Sequence, residues 1–374
     1  MLVRPCRVAL AALFATVSLM VESGLAAPAD PGLKLNQIQI VGTAESYKLA
    51  PSPEMLSLIR MGGKKDAQAL DFGQPPIAAQ LDAGARALSF DIVYDPQGGL
   101  FKNPAGASMA DELLDKDYVT AMSQPGFKVI HVPDVDFKST CLTLQACLGQ
   151  VSAWSGAHPA HIPIVIILHC TDSRTPIPGA TAPKPFDAAA ADALDAEIRA
   201  GFAPGRIITP DQVKGTHASL KEAVQAGAWP ALRTARGKVI FVLNDDASQA
   251  ALYSAAGGRP MFAASDEASP NAGFIAIDDP VRDAARIAAD VRDGFIIFTR
   301  ADAETTEARA GDTRRRDQAF DSGAQIILTD FLLPDKKIGA YQVSIADRRH
   351  ARCDVRNADC AAWDAAGQRT ATAR

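Results

Sequence analysis

The chain has 374 residues, 48% of them apolar and 22% charged, so it can bury a large core. Its formal net charge of −5, with no basic stripe, argues against a nucleic-acid binder. No stretch reaches eighteen uninterrupted apolar residues, so no transmembrane anchor is expected.

Residues 1–26 read as a signal peptide. Arg4 and Arg7 precede an apolar run from Val8 to about Val21, and Gly24-Leu25-Ala26-Ala27 supplies small residues for cleavage. An uncleaved N-terminal anchor is the alternative. A secreted or periplasmic protein is therefore expected, with one domain over 33–362 and a disordered tail over 363–374. Of six cysteines, Cys6 leaves with the leader. Cys141 and Cys147, and then Cys353 and Cys360, are spaced for two local disulfides in an oxidising compartment. Cys170, at the end of an apolar run, reads as a buried free thiol, and no C-x-x-C pair suggests a cysteine metal site.

Short β-branched runs recur along the chain at 37–43, 87–94, 128–132, 164–169, 206–209, 238–244, 294–300 and 325–331. Most are continuously apolar, as parallel strands buried on both faces should be. Helix-like segments lie between them at 76–85, 108–121, 142–155, 187–201, 219–227, 279–293 and 312–322. This alternation predicts an α/β fold, a (β/α)8 TIM-type barrel with loop insertions. A doubly wound open sheet is the alternative, although no G-x-G-x-x-G follows the first strand. Arg314-Arg315-Arg316 is followed by Asp317 and reads as a solvated helix face.

The catalytic face of such a barrel is its C-terminal rim. The residues ending the runs are Ala44-Glu45-Ser46, Asp91, His131 with Asp134, His169 with Asp172, Asn244-Asp245, Arg300 with Asp302, and Asp330. Histidines, carboxylates and an arginine at one end suit acid–base work on a phosphate or cation binding. Other readings stand beside this one. Asp95, Asp134, Asp245 and Asp246 suit turns and helix caps. His131 and His169 suit satisfied core histidines as well as catalytic ones, and Arg300 suits a plain ion pair. His158 and His161 flank Pro159, where packing or solvation explains them.

Particular stretches say more. Leu35-Asn36-Gln37-Ile38-Gln39-Ile40-Val41-Gly42-Thr43, Gln80-Leu81-Asp82-Ala83-Gly84-Ala85-Arg86 and Tyr94-Asp95-Pro96-Gln97-Gly98-Gly99 form one set. Val129-Ile130-His131-Val132-Pro133-Asp134-Val135-Asp136-Phe137, Trp154-Ser155-Gly156-Ala157-His158-Pro159 and Thr299-Arg300-Ala301-Asp302 continue it in order. Together they resemble the calcium-dependent, phosphoinositide-specific phospholipase C-like family, a branch of the PLC-like phosphodiesterase barrels. The resemblance implies cleavage of inositol phospholipids by a base, an acid and a calcium ion. It also implies a phosphodiester or inositol-phosphate ligand and contact with lipid head groups.

The same resemblance implies a degenerate site. The family's first strand ends Gly-Thr-His-Asn-Ser, and Ala44 and Glu45 stand at its catalytic histidine and calcium-ligand asparagine. The second ends Glu-x-Asp, where Ser89 is substituted and Asp91 is kept. His131 matches the second histidine. The fourth ends Glu-x-Lys, where His169 and Thr171 stand. Arg300 and Asp330 remain as phosphate- or substrate-binding candidates. Calcium-dependent activity is thus expected to be lost or altered. One reading is a rebuilt site in which Glu45, Asp91 and His169 hold another divalent metal such as zinc, with His131 as acid, or in which His169 is the base. The other is an inactive barrel that binds a phosphorylated or inositol-bearing ligand, or a protein partner.

Overall fold

The computed structural model describes residues 32–346, 349–354 and 360, so the leader at 1–26 and the tail at 363–374 lie outside the described residues. Among the described residues there are ten strands: β1 Ile38–Thr43, β2 Ala87–Val93, β3 Lys128–Val129, β4 Ile164–Cys170, β5 Val239–Leu243, β6 Met261–Ala263, β7 Phe274–Ala276, β8 Ile296–Arg300, β9 Ile326–Thr329 and β10 Arg352–Cys353. Eight of them run in the order β6-β5-β4-β2-β1-β9-β8-β7. Every neighbouring pair in that order is parallel. Across the remaining seam the Ser265 N–H donates to the Phe274 carbonyl at 3.2 Å, so the sheet nearly closes into an eight-stranded barrel with helices outside.

Two of the runs expected to be staves are not. Lys128–Val132 contributes only β3, which lies antiparallel on the outer end of β2 with Ile92 opposite Val129. Arg206–Thr209 holds the end of a 3-10 turn and one bridge from Ile207 to Val239. Their places are taken by β6 and β7, three residues each, too short to show as periodic runs.

The strands alternate as a two-faced buried sheet requires. Leu88, Phe90 and Ile92 of β2 pack outward with Ile166 and Leu168 of β4 against helices Leu144–Ala157 and Ala188–Gly201. Ala87, Val165, Ile167, Ile240, Val242, Phe298, Ile326 and Leu328 fill the barrel. The inward series therefore ends, at the C-terminal rim, in Ala44, Asp91, His169, Asn244, Arg300 and Asp330. Gly42 lets β1 approach β2, because a Cβ there would lie 2.4 Å from that of Ala87.

Both expected disulfides form, Cys141–Cys147 and Cys353–Cys360, and Cys170 is a buried free thiol. The first precedes and enters helix Leu144–Ala157, capped by Thr143. The second starts at Cys353, the last residue of β10, which pairs antiparallel with the start of β1 and ties the C-terminal segment to the barrel base.

Candidate functional site

The rim is organised from β1 outward. Ala44 N–H donates to Thr329 O at 2.9 Å, and the Gln74 side-chain amide donates to Ala44 O at 3.1 Å and Asp330 O at 3.0 Å. Ser46 Oγ lies 2.7 Å from Thr43 Oγ1 and accepts from Ser89 N–H at 2.9 Å, locking β1 to β2. The frame is thus held by buried polar groups, whereas Ala44 itself presents a methyl that is 4% exposed. Ser89 is equally buried, one inward position below Asp91.

Glu45 takes a left-handed backbone conformation, φ 45°, which costs a non-glycine residue about 1–3 kcal/mol. The turn aims its carboxylate at His131, with Oε1 3.4 Å from Nε2, while Oε2 is buried without a hydrogen-bond partner. His131 Nδ1 lies 2.8 Å from Asp136 Oδ2, and that same oxygen is 3.3 Å from Lys48 Nζ. Lys48 is fully buried and also donates to Leu70 O and Phe72 O. Burial works against a charged His131, but Glu45, the Asp136 hydrogen bond and Asp91 outweigh it and raise its pKa to about 9. The imidazole is therefore a cation at neutral pH, hydrogen-bonded through Nδ1 to Asp136 and ion-paired through Nε2 with Glu45. Burial raises the Glu45 carboxyl despite the opposing pull of His131.

Asp91 accepts from the Tyr47 hydroxyl at 2.8 Å. Its neighbour across the sheet, His169, is the register partner on β4. His169 faces away from the Glu45–His131 pair in its bonding: Nε2 lies 3.0 Å from the Asn244 side-chain amide and Nδ1 3.8 Å from Asp245. Asp245 accepts from Cys170 N–H with both oxygens, and burial raises its pKa to about 6. On the far side Arg300 pairs with Asp330 at 2.7 Å and donates to Asp302 O at 3.2 Å. Burial and the proximity of Asp330 raise Asp302 to about 7, and burial raises Asp330 to about 6.

The expected rim residues thus share one end of the barrel but are sorted into separate pairs. Asp95, Asp134 and Asp246 make turn and cap hydrogen bonds, as their positions suggest. His158 stacks on Trp154 at 4.0 Å, and His161 bonds Ser155, so both pack. The roles of Tyr47, Lys48 and Asp136 escaped the sequence, which shows Lys48 as one more lysine in a loop. Its single signal is the cluster of ionisable residues close behind Glu45.

The matching family model, Phosphoinositide phospholipase C, Ca2+-dependent, spans residues 33–355. The chain belongs to this family. No curated protein matches the chain. Among solved structures, it is similar to a calcium-dependent phosphoinositol-specific phospholipase C from a Pseudomonas species, in its apo form, myo-inositol complex. The two are 17% identical, with 87% of this chain and 97% of that one covered and a TM-score of 0.54. Crystal form 2 of the same apo enzyme gives the same identity and TM-score over 98% of its length. A Ca2+-dependent phosphatidylinositol-specific phospholipase C from Streptomyces antibioticus is 18% identical over 79% of this chain and 94% of that one, with a TM-score of 0.49. At this identity the likeness to the two Pseudomonas structures shows the fold, a PLC-like barrel.

The family's calcium does not fit the donors present here. A calcium ion takes about 6–8 oxygen ligands. Ser89 offers a hydroxyl in place of a carboxylate, Glu45 is turned to His131, Asp91 holds Tyr47, and His169 offers nitrogen. Among the described residues no group of three or more His, Cys, Asp or Glu side chains is gathered to hold a metal ion.

Proposed function

We propose that this family member is a secreted barrel that has lost calcium-dependent cleavage of inositol phospholipids and keeps its rim as a binding site. The observation that carries the reading is the Ala44–Glu45 pair. A methyl stands at the position of the family's first-strand histidine, and the adjoining carboxylate closes on His131. Attack by a sugar hydroxyl on phosphorus needs a base, and His131 is held as its conjugate acid. Loss of one acid–base partner costs roughly 10²–10⁴-fold in rate. What remains suits recognition, with His131 and Arg300 as sheltered cations at the rim for a phosphorylated or inositol-bearing ligand. Secretion is supported by the apolar leader over 8–21 and by two disulfides.

The test is a phosphatidylinositol cleavage assay with and without calcium, zinc and other divalent ions, beside calorimetry against inositol phosphates. Turnover no higher than in His131→Ala, together with inositol-phosphate binding weakened by Arg300→Gln, is expected. Turnover that depends on added metal and exceeds the His131→Ala control would overturn the loss of activity. Absence of binding to every inositol phosphate would overturn the ligand.

A further inference from the structure

The contact between Glu45 and His131 is held against three costs. Glu45 adopts a left-handed backbone at φ 45°, which a non-glycine residue takes only under constraint. Its Oε2 is buried with no hydrogen-bond partner. Its Oε1 stops 3.4 Å from His131 Nε2, beyond the roughly 2.7–2.9 Å of a charge-assisted hydrogen bond. The backbone on either side is fixed, since Ala44 N–H donates to Thr329 O, Ser46 N–H to Ser89 O and Lys48 N–H to Glu45 O, each at 2.9 Å. Freedom is left to the Glu45 side chain. It is not sealed in, being 16% exposed beside a His131 side chain that is 22% exposed.

The neighbouring charges make this contact the exchangeable one. Around Glu45 stand the cations His131, Lys48 and Arg300 and the anions Asp91 and Asp330. Lys48 is committed to Leu70 O, Phe72 O and Asp136, and Arg300 to Asp330 and Asp302 O. Asp91 accepts from the Tyr47 hydroxyl, and His131 Nδ1 is taken by Asp136. Of this group, His131 Nε2 is left with a long ion pair in place of a hydrogen bond.

We propose that Glu45 is a built-in competitor for the anion seat of the rim: its carboxylate holds the place on His131 Nε2 that a ligand's phosphate takes, and the side chain swings out to solvent when the phosphate enters. A phosphate oxygen can close to hydrogen-bond length where the Glu45 carboxylate does not, and the displaced carboxylate regains water at its unpartnered oxygen. A neutral polyol brings no anion and leaves the contact in place. The rim therefore selects a phosphorylated ligand over the same ring without phosphate. Such a gate rests on the rim being the binding site proposed above, and the two can fail separately.

The test is calorimetry of the full chain against inositol 1-phosphate, inorganic phosphate and myo-inositol. Working at about pH 6 keeps His131 protonated even after a fall of about two units on loss of the Glu45 charge. Glu45→Asp keeps the charge and tolerates the left-handed turn, but its shorter side chain withdraws from His131. Glu45→Gln keeps the length and removes the charge. Both should bind the two phosphates about ten-fold more tightly than wild type, with no gain for myo-inositol. The gain should vanish when His131→Ala is added to Glu45→Asp. Phosphate affinity equal to wild type in both Glu45 variants would overturn the gate and leave the binding site standing. A gain in Glu45→Gln alone would also overturn it, because that is like-charge repulsion without occupancy. So would a gain that persists without His131, or an equal gain for myo-inositol, which would mean a wider cleft. No phosphate binding by wild type or either variant would overturn gate and binding site together.

Discussion

Replacing Glu45 by glutamine removes a charge while keeping the side chain's shape, and it should move the titration of His131. Two unit charges 3.4 Å apart attract by roughly 5 kcal/mol at an effective dielectric of about 20. That figure is a ceiling, since Asp136 and Asp91 remain and the glutamine keeps a dipole toward the ring. An opposite charge at this range typically shifts a pKa by about 1–3 units. Glu45 is the foremost of the influences that raise His131, so Glu45→Gln should bring it from about 9 down by roughly two units. The measurement is an NMR titration of the histidine ring carbons in wild type and variant. A change below about half a unit would refute the geometry of the pair.

Stability should follow the same titration. A histidine whose folded pKa lies above its unfolded value near 6.5 contributes fully below that pH and loses the contribution as pH rises through about 9. The rise corresponds to at most about 3 kcal/mol. Wild type should therefore lose denaturant stability between roughly pH 6.5 and 9, and Glu45→Gln should show a shallower decline there. A steeper decline in the variant would contradict the sign.

Two further changes probe the frame. Arg300→Ala leaves Asp330, which is 3% exposed, without its partner and should cost about 3–5 kcal/mol in chemical denaturation, whereas a loss below 1 kcal/mol would show the pair to be solvent-screened. Gly42→Ala forces a methyl against Ala87 and its carbonyl between β1 and β2, and should cost about 1–3 kcal/mol by thermal unfolding; an unchanged midpoint would mean the two strands can separate there.

Much of the rim was legible along the chain because strand geometry has a strict period of two. Once Leu88, Phe90 and Ile92 are outward, Ser89 and Asp91 must point into the barrel, and the same counting assigns His169, Arg300 and Asp330. The helix caps and both local disulfides were readable for a similar reason, since each depends on residues a few positions apart. Staves β6 and β7 were not readable, because three residues buried by their neighbours carry no period of their own. Lys128–Val132 looked like a stave because it is apolar, yet β2 was already paired on both sides and could accept β3 only past its outer end.

By itself the sequence determined the alternating barrel, the identity of the residues at its rim, and the methyl at position 44. Only the tertiary structure decided which charges meet. The left-handed turn at Glu45 sends its carboxylate to His131, Lys48 is drawn inward to share Asp136, and His169 is taken by Asn244 and Asp245. Electrostatic partnership depends on distances of a few ångströms between segments tens or hundreds of residues apart, and no local pattern encodes those distances.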